Sequence, residues 1–526
     1  MIRDLLREQP SPDYRPQICI VGAGAAGICL AVELSKQGKS VMVLEGGGRD
    51  IEDEAQEPYR SEVVGHEHRG IHTGRFRAHG GTTTRWGGQV LELNSEDFER
   101  RDWVSSSGWP FSRAELEPFY RRALDFEGLG RVLRNDADVW KSLGLPEPSF
   151  PDLQSYLTRW CPEPNFARLH AKVLETSENL QIWLHANAVE LLMDGETVRA
   201  LRVRTQQGSE TLVRSGHFVF CMGTIESVRF FLQPRAGGLP WNRSGLLGRH
   251  FQDHVDANAA RVIPHNRRQF AELFDNIFLR GFKYHPKLRL RADEQRRARV
   301  LNCAATMSFS STVDDALTAT KTTAKHLMRG RFSELQPADI LRSARHAPLL
   351  ARQTARYALH HRAYNPASAE IRLRLHCEQR PDSDSSITLS AERDSIGLLR
   401  ARLDWCISDL EFKTIRTFAE AAAHSLAPIA AVEPDPALIH NDPAFLDRCD
   451  DSNHHMGGMR MAASPTNGVV TPDLLLHSTR NVYICSGAVF PTSGFSNPTH
   501  TVLALAMRLA DRLAPVSDGR RNQTVT

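Results

Sequence analysis

The sequence predicts an α/β protein with a dinucleotide-binding unit at its N-terminal end and a mostly antiparallel sheet further along. Three observations predict it. A β-branched run, a spaced glycine turn, an apolar helix and a second buried strand follow one another from residue 17 to residue 45. A second strand–glycine–helix pair recurs at His217–Met222, Gly223 and a helix from Ile225. Short strand-like runs with turn residues between them fill 180–208 and 370–408. The 526 residues suffice for more than one domain, and 41% hydrophobic with 24% charged residues is ordinary for a globular chain. A formal charge of +3 gives no general reason to expect nucleic-acid binding.

The N-terminal element runs from Gln17 to Val21 and ends in Gly22-Ala-Gly24-Ala-Ala26-Gly27. Ile28, Leu30, Ala31, Val32 and Leu34 then space as a helix that closes at Gly38, and Ser40–Leu44 leads into Glu45. Gly22 permits the tight turn, Gly24 lets the backbone approach a pyrophosphate, and Gly27 lets helix and strand pack closely. The N–H groups of the helix start hold phosphate charge, and Glu45 accepts hydrogen bonds from a ribose diol. Motif and spacing leave FAD and NAD both open. The next cluster, His79-Gly80-Gly81-Thr82-Thr83-Thr84-Arg85-Trp86-Gly87-Gly88, runs its backbone flush against a flat or phosphorylated ligand, with the hydroxyls as donors.

Ser112 and Glu115 have capping-box spacing ahead of a helix carrying Leu116, Phe119, Tyr120 and Leu124, and Trp103, Trp109 and Phe111 read as core. Asp194-Gly195 joins two strands as a hairpin. Residues 311–365 read as a basic, helical insertion: either a charged face turned to water or a docking surface. Strands at 370–379 and 385–408 predict one antiparallel sheet, a wall for a substrate pocket, and a helix follows from Asp409 to Leu426. Nine single cysteines without CxxC spacing fit a reducing compartment. The charged N-terminus is not a secretory signal, and no apolar run reaches membrane-spanning length. The expectation is a soluble, cytoplasmic protein.

The segment from Asn453 carries the chemistry. His454 and His455 precede a glycine pair, and the buried run VYICSGAVF leads through SNPTHT into an apolar helix from Val502 to Leu513. A histidine near neutral pKa at a glycine-lined pocket suits proton removal from a hydroxyl. Taken singly, each such histidine is more often structural. No HExxH or carboxylate companion points to a metal, so none is expected.

These features together resemble the flavin-dependent glucose–methanol–choline oxidoreductases. The matching segments are GAGAAG with Glu45, GGTTTRWGG, DFERRDWV with SGWPFS, VFCMGTIES, LGRHFQDH, HHMGGMRM and SGAVFPTSGFSNPTHT, in that family's order. The resemblance implies a Rossmann-type FAD-binding domain assembled from discontinuous segments (1–135, 165–255 and 440–526). It implies a substrate domain (136–164 and 256–439) with a mostly antiparallel sheet and flanking helices. It places the catalytic histidine on His454 and its partner on Asn497, with His500 as the competing assignment. It implies cofactor contacts from Gly22, Gly24, Ala26, Gly27, Glu45, Gly81, Thr82, Arg85, Trp86, Gly87, Gly88, Val189, Gly487, Ala488, Pro498 and Thr499. Family members with covalent flavin have a histidine before the tryptophan of the glycine–threonine cluster. Arg85 stands there, and a guanidinium is a poor nucleophile, so non-covalent FAD is expected. The implied reaction is oxidation of a hydroxyl, on a sugar or glycoside in the bacterial members most similar in pattern, with oxygen or a redox partner as acceptor. A non-sugar alcohol, a non-redox lyase on this fold, and an electron-transfer subunit docking through 311–365 are the alternatives.

Overall fold

In the computed structural model, which describes residues 1–310, 335–338, 340–341 and 347–514, six parallel strands form one sheet. Their order is Ile2–Asp4, Leu180–Leu184, Val41–Leu44, Ile18–Val21, His217–Phe220 and Val482–Ile484, so one sheet draws on segments far apart in the chain. The four residues of Ile18–Val21 and of Val41–Leu44 are all buried, as both faces of a parallel sheet must be. On one face the helices Ala25–Lys36, Arg113–Phe126 and Pro498–Leu513 pack together. Ser112 and Glu115 form the predicted capping box. Trp109 and Phe111 are buried core, as read from the sequence. The hairpin at Asp194-Gly195 joins Asn187–Asp194 to Thr197–Arg204.

A second, larger sheet runs Ala430–Pro434, Val255–Pro264, Glu370–Cys377, Cys303–Ser310, Phe282–Leu290, Leu153–Trp160 and Gln89–Val90, antiparallel throughout. Strand alternation gives it two unlike faces. Leu157, Leu288, Ala305 and Leu375 are buried on the face packed by the helix Asp409–Leu426. The opposite face carries Tyr156, Thr158, Trp160, His285, Lys287, Arg374 and His376, and looks toward the first sheet.

The expectation of a single antiparallel wall from 370 to 408 is corrected. Glu370–Cys377 lies in the large sheet, whereas Ser386–Arg393 and Leu399–Trp405 pair with each other and then, parallel, with Glu62–Gly65. Alternation reports which side of a strand is buried, not which sheet accepts it. Gln89–Val90, expected in the cofactor-binding segments, pairs with Leu153–Trp160. Of the basic stretch 311–365, residues 311–334, 339 and 342–346 lie outside the described residues. The helix Ala347–His360 belongs to it, and Arg356 pairs with the buried Asp275 at 2.8 Å.

One buried ion pair ties the two layers together. Arg101 donates from Nη1 and Nη2 to the two oxygens of Glu378 at 2.7 and 2.6 Å, and the backbone N–H of Asn302 donates to the same carboxylate at 2.8 Å. Arg101→Ala should cost ~3–5 kcal/mol in denaturant unfolding, because a buried carboxylate loses its cation. The paired change Arg101→Met with Glu378→Leu should cost less than the single one.

Candidate active site

A cavity of about 620 Å³ lies between the carboxyl ends of the parallel strands and the polar face of the large sheet. Gly22, Glu45, Cys221 and Ser486 line it, each just beyond a parallel strand, where open α/β sheets place their ligands. The glycine turn divides its work by position. Gly22 has φ +103°, and a Cβ there would sit 2.7 Å from the Cys221 carbonyl oxygen. A Cβ on Gly27 would lie 1.8 Å from the Gly22 oxygen, so this glycine is needed for helix–strand packing. A Cβ on Gly24 would meet no protein atom within 4 Å, and Gly24 lines the cavity: the space beside it is open to a ligand. Ala26 lines it too.

Glu45 is buried, and its carboxylate accepts from the Ala23 N–H at 2.8 Å and the Gly47 N–H at 3.0 Å. Burial lifts its pKa, and these two backbone donors oppose the lift. Gly81, Thr82, Arg85, Trp86, Gly87 and Gly88 line the cavity on its other side. Gly81 stacks on the turn itself, since its Cβ would lie 2.8 Å from the Gly24 Cα. Two of the three threonine hydroxyls are not ligand donors: Thr83 donates to the Gly80 carbonyl and Thr84 to the Gly81 carbonyl. Trp86 donates its indole N–H to the Pro164 carbonyl at 2.6 Å. Gly487, Pro498 and Thr499 line the far end. Gly27, Val189 and Ala488 do not reach the cavity surface; Val189 sits at a register shift, and its neighbours Asn187 and Ala188 line the cavity instead. An open glycine turn, a helix start and a buried carboxylate on the second strand fit a dinucleotide, with room for a flat ring along Gly81–Gly88.

At the end lined by Gly487, His454 and Asn497 meet. Asn497 donates from Nδ2 to His454 Nε2 at 2.9 Å, which leaves the ring proton on Nδ1, facing His254 Nδ1 at 3.0 Å. Burial, with His376 nearby, pushes the His454 pKa down to about 3, so the ring is neutral, and His454 and Asn497 both line the cavity end. The loop is held by Asp253, whose Oδ1 accepts from the backbone N–H groups of His254 (2.6 Å), His454 (2.9 Å) and Ser452 (3.3 Å). Gly457, at φ +76°, is required below it, because a Cβ would lie 2.0 Å from the His250 oxygen.

His500 is elsewhere. It is 1% exposed, 2.9 Å from Glu127 Oε2, stacked on Tyr120, and does not line the cavity. Burial pulls its pKa down, but the Glu127 carboxylate outweighs this and raises it. The reason is helical: Asn497 caps the helix Pro498–Leu513, and three residues further round, the side chain turns inward.

Sequence reasoning missed His254, His376 and the Arg75–Glu226–Arg229 ion-pair chain in the cavity lining, with links of 3.0 and 2.8 Å. LGRHFQDH held the signal for His254. His376 stands in an ordinary alternating strand and gave none. The ligating nitrogens of His254, His376 and His454 lie within 4.8 Å of one another, a spacing a transition metal could bridge. Both nitrogens of His454 are already engaged.

Among known proteins, residues 381–506 match the family model described as GMC oxidoreductase, and residues 20–50 match that of an NAD(P)-binding Rossmann-like domain. Paromamine 6'-oxidase of Streptomyces fradiae is 23% identical over 556 aligned residues, covering 94% of this chain and 91% of its own. Among solved structures, pyridoxine 4-oxidase from Mesorbium loti superposes with a TM-score of 0.59 at 17% identity, over 95% of this chain and 99% of that one. Formate oxidase of Aspergillus oryzae RIB40 does so at 0.56 and 14% identity, over 96% and 99%.

The glycine turn makes a prediction that separates fold from ligand. Gly24→Val should fold with wild-type circular dichroism and the melting temperature of the cofactor-free wild type, yet purify without bound dinucleotide, scored by its absorbance. Gly27→Ala should instead lose stability by about 1–3 kcal/mol through overpacking.

Proposed function

We propose that this chain, whose residues 381–506 carry a GMC oxidoreductase C-terminal region behind a Rossmann-like N-terminal segment, is an FAD-dependent enzyme that oxidises a hydroxyl group of a sugar or glycoside. One observation carries the reading: a neutral, buried histidine base and an amide donor, 2.9 Å apart, share one cavity with the dinucleotide turn. The name of paromamine 6'-oxidase supports a sugar-type substrate, and the oxidase names of the similar proteins favour oxygen as acceptor.

In this reading the substrate oxygen takes the place of the direct Asn497–His454 hydrogen bond, meeting both His454 Nε2 and Asn497 Nδ2. His454 takes the hydroxyl proton, and the charge it gains is shared through Nδ1–H with His254. Asn497 holds the oxygen by its N–H and fixes which hydrogen of the carbon faces the ring site. FAD, when bound, supplies the acceptor for the hydride that leaves that carbon. Arg85 occupies the position before Trp86, so the cofactor is held without a covalent bond. The residues that hold it are those of the glycine turn, Glu45 and the Gly81–Gly88 segment, in a domain drawn from 1–135, 165–255 and 440–526. Nine thiols without a disulfide suit a cytoplasmic location. Among the described residues no helix is long and apolar enough to cross a membrane.

Anaerobic mixing with a panel of sugars, glycosides and plain alcohols tests the reading. A substrate should bleach the flavin absorbance, whereas a lyase substrate would leave it yellow. His454→Ala should keep FAD and slow bleaching by ~10²–10⁴-fold. Because the base is held near pKa 3, its competent neutral form persists as pH falls, and kcat/KM should show no acid limb near pH 6.5. A limb at that value would contradict a base neutralised by burial.

His254 gives a second test. His254→Leu leaves the His454 Nδ1–H without an acceptor, and flavin reduction should fall by about tenfold or more. His254→Asn, which keeps an oxygen acceptor near the same place, should recover most of the rate.

A further inference from the structure

The polar face of the large sheet holds a row of donors with nothing to donate to. Lys287 is 9% exposed and makes no hydrogen bond or ion pair among the described residues. Directly across the strand pair stands Tyr156, whose buried hydroxyl also has no partner. Four residues on, Trp160 lines the cavity with its indole N–H equally unpartnered. Cross-strand partners share a face, and so do residues at even spacing along a strand, so all three lie on the polar face of the sheet. Trp160 is in the cavity lining, and Lys287 and Tyr156 lie next to it, behind that lining. Two contacts bring the row to the reacting end. The Tyr156 ring lies 5.7 Å from that of Phe495, two residues before Asn497. The Lys287 charge is also felt at His454, where it adds to the lowering of the histidine pKa.

The carboxylate facing Lys287 is Asp256, and it is engaged elsewhere: one oxygen meets His376 Nδ1 and the other accepts from Arg374 at 2.6 Å. The Tyr156 hydroxyl and the Trp160 N–H are buried without partners, which is unfavourable unless a ligand completes them, and the Lys287 ammonium beside them has no counter-ion among the described residues. Burial, with Arg374 nearby, lowers the Lys287 pKa to about 8, which leaves it charged at neutral pH.

We propose that Lys287 and Tyr156 form an anion-holding subsite, so that the hydroxyl compound reacting at His454 also carries a carboxylate or comparable anionic group. This rests on the oxidation proposed above and narrows its substrate class. An amine-bearing substrate would bring a second cation beside Lys287; an acidic one completes three idle donors.

The experiment uses the full-length, FAD-loaded chain with methyl glucoside, its glucuronoside counterpart, glucose 6-phosphate and glucosamine. Binding is read anaerobically from perturbation of the flavin spectrum, and turnover from bleaching. The glucuronoside or the phosphate should bind roughly tenfold or more tightly than the neutral glycoside, as expected for a charge-assisted contact. Which of the two anions leads identifies the anion's chemistry. Lys287→Met should abolish that margin, Lys287→Arg should keep part of it, and Tyr156→Phe should reduce it, each read as the ratio of anionic to neutral binding within one variant. Removing an unpartnered cation should not impair folding; Tyr156→Phe and Lys287→Arg test the same margin independently. Equal binding of neutral and anionic probes by the wild type, tighter binding of glucosamine, or an unchanged margin in Lys287→Met overturns the subsite. If the neutral glycoside bleaches the flavin without any charge preference, the subsite falls and the oxidation stands. If the anionic probes bind preferentially but neither they nor any wider panel member bleaches the flavin, the oxidation falls and the subsite stands.

Discussion

The buried carboxylate of Asp253 is the constraint on which the site depends. It takes three backbone N–H groups on one oxygen, from His254, Ser452 and His454, and the His68 ring on the other at 3.1 Å. The Ile71 N–H donates to His68 Nδ1, so the ring proton must lie on Nε2, toward Asp253. An unsupported carboxylate at this depth would be strongly unfavourable, so the four donors cannot drift apart without exposing it to that penalty. The consequence is positional. The end of one substrate-sheet strand and the loop carrying His454 are fixed to a common atom, and His454 meets His254 because their backbones are bound side by side.

Charge management around that hub is consistent. His454, His254 and His455 are all held below their ordinary pKa, chiefly by burial, and so remain neutral. A neutral imidazole can both accept a proton at one nitrogen and donate at the other, and the Asn497–His454–His254 chain uses both. The acid that could have charged this group, Asp256, is kept ionised against burial by His376 and Arg374. The site therefore combines neutral bases with a net cationic roof, an arrangement suited to removing a proton and to stabilising negative charge that develops on oxygen.

The two sheets contribute by different physics. The parallel sheet is apolar on both sides and rigid, and it places glycine turns and carboxyl ends at a single edge. The antiparallel sheet buries one face on the helix Asp409–Leu426 and frees the other for polar side chains. Arg101 and Glu378 close the seam between them. The cavity lies where these two edges face each other, lined by segments as distant in sequence as Gly22 and Asn497.

Local chemistry determined much of this from sequence alone. The glycine turn, the capping box at Ser112, the hairpin at Asp194 and the helix from Asp409 depend on neighbouring residues, so their signals survive in one dimension. The motif segments likewise marked His454 and Asn497, which the fold brings to 2.9 Å. What needed the tertiary structure was every question of partner. Strand alternation could not tell which sheet receives Ser386–Arg393. A histidine three residues past Asn497 looked like a candidate until the helix turned it onto Glu127. His376 and Lys287 stand in plain alternating strands, and only the pairing of those strands puts one against His454 and leaves the other without a counter-ion. Periodicity and capping are set within a few residues, whereas pairing, burial and ionisation are set by whatever the folded chain brings alongside.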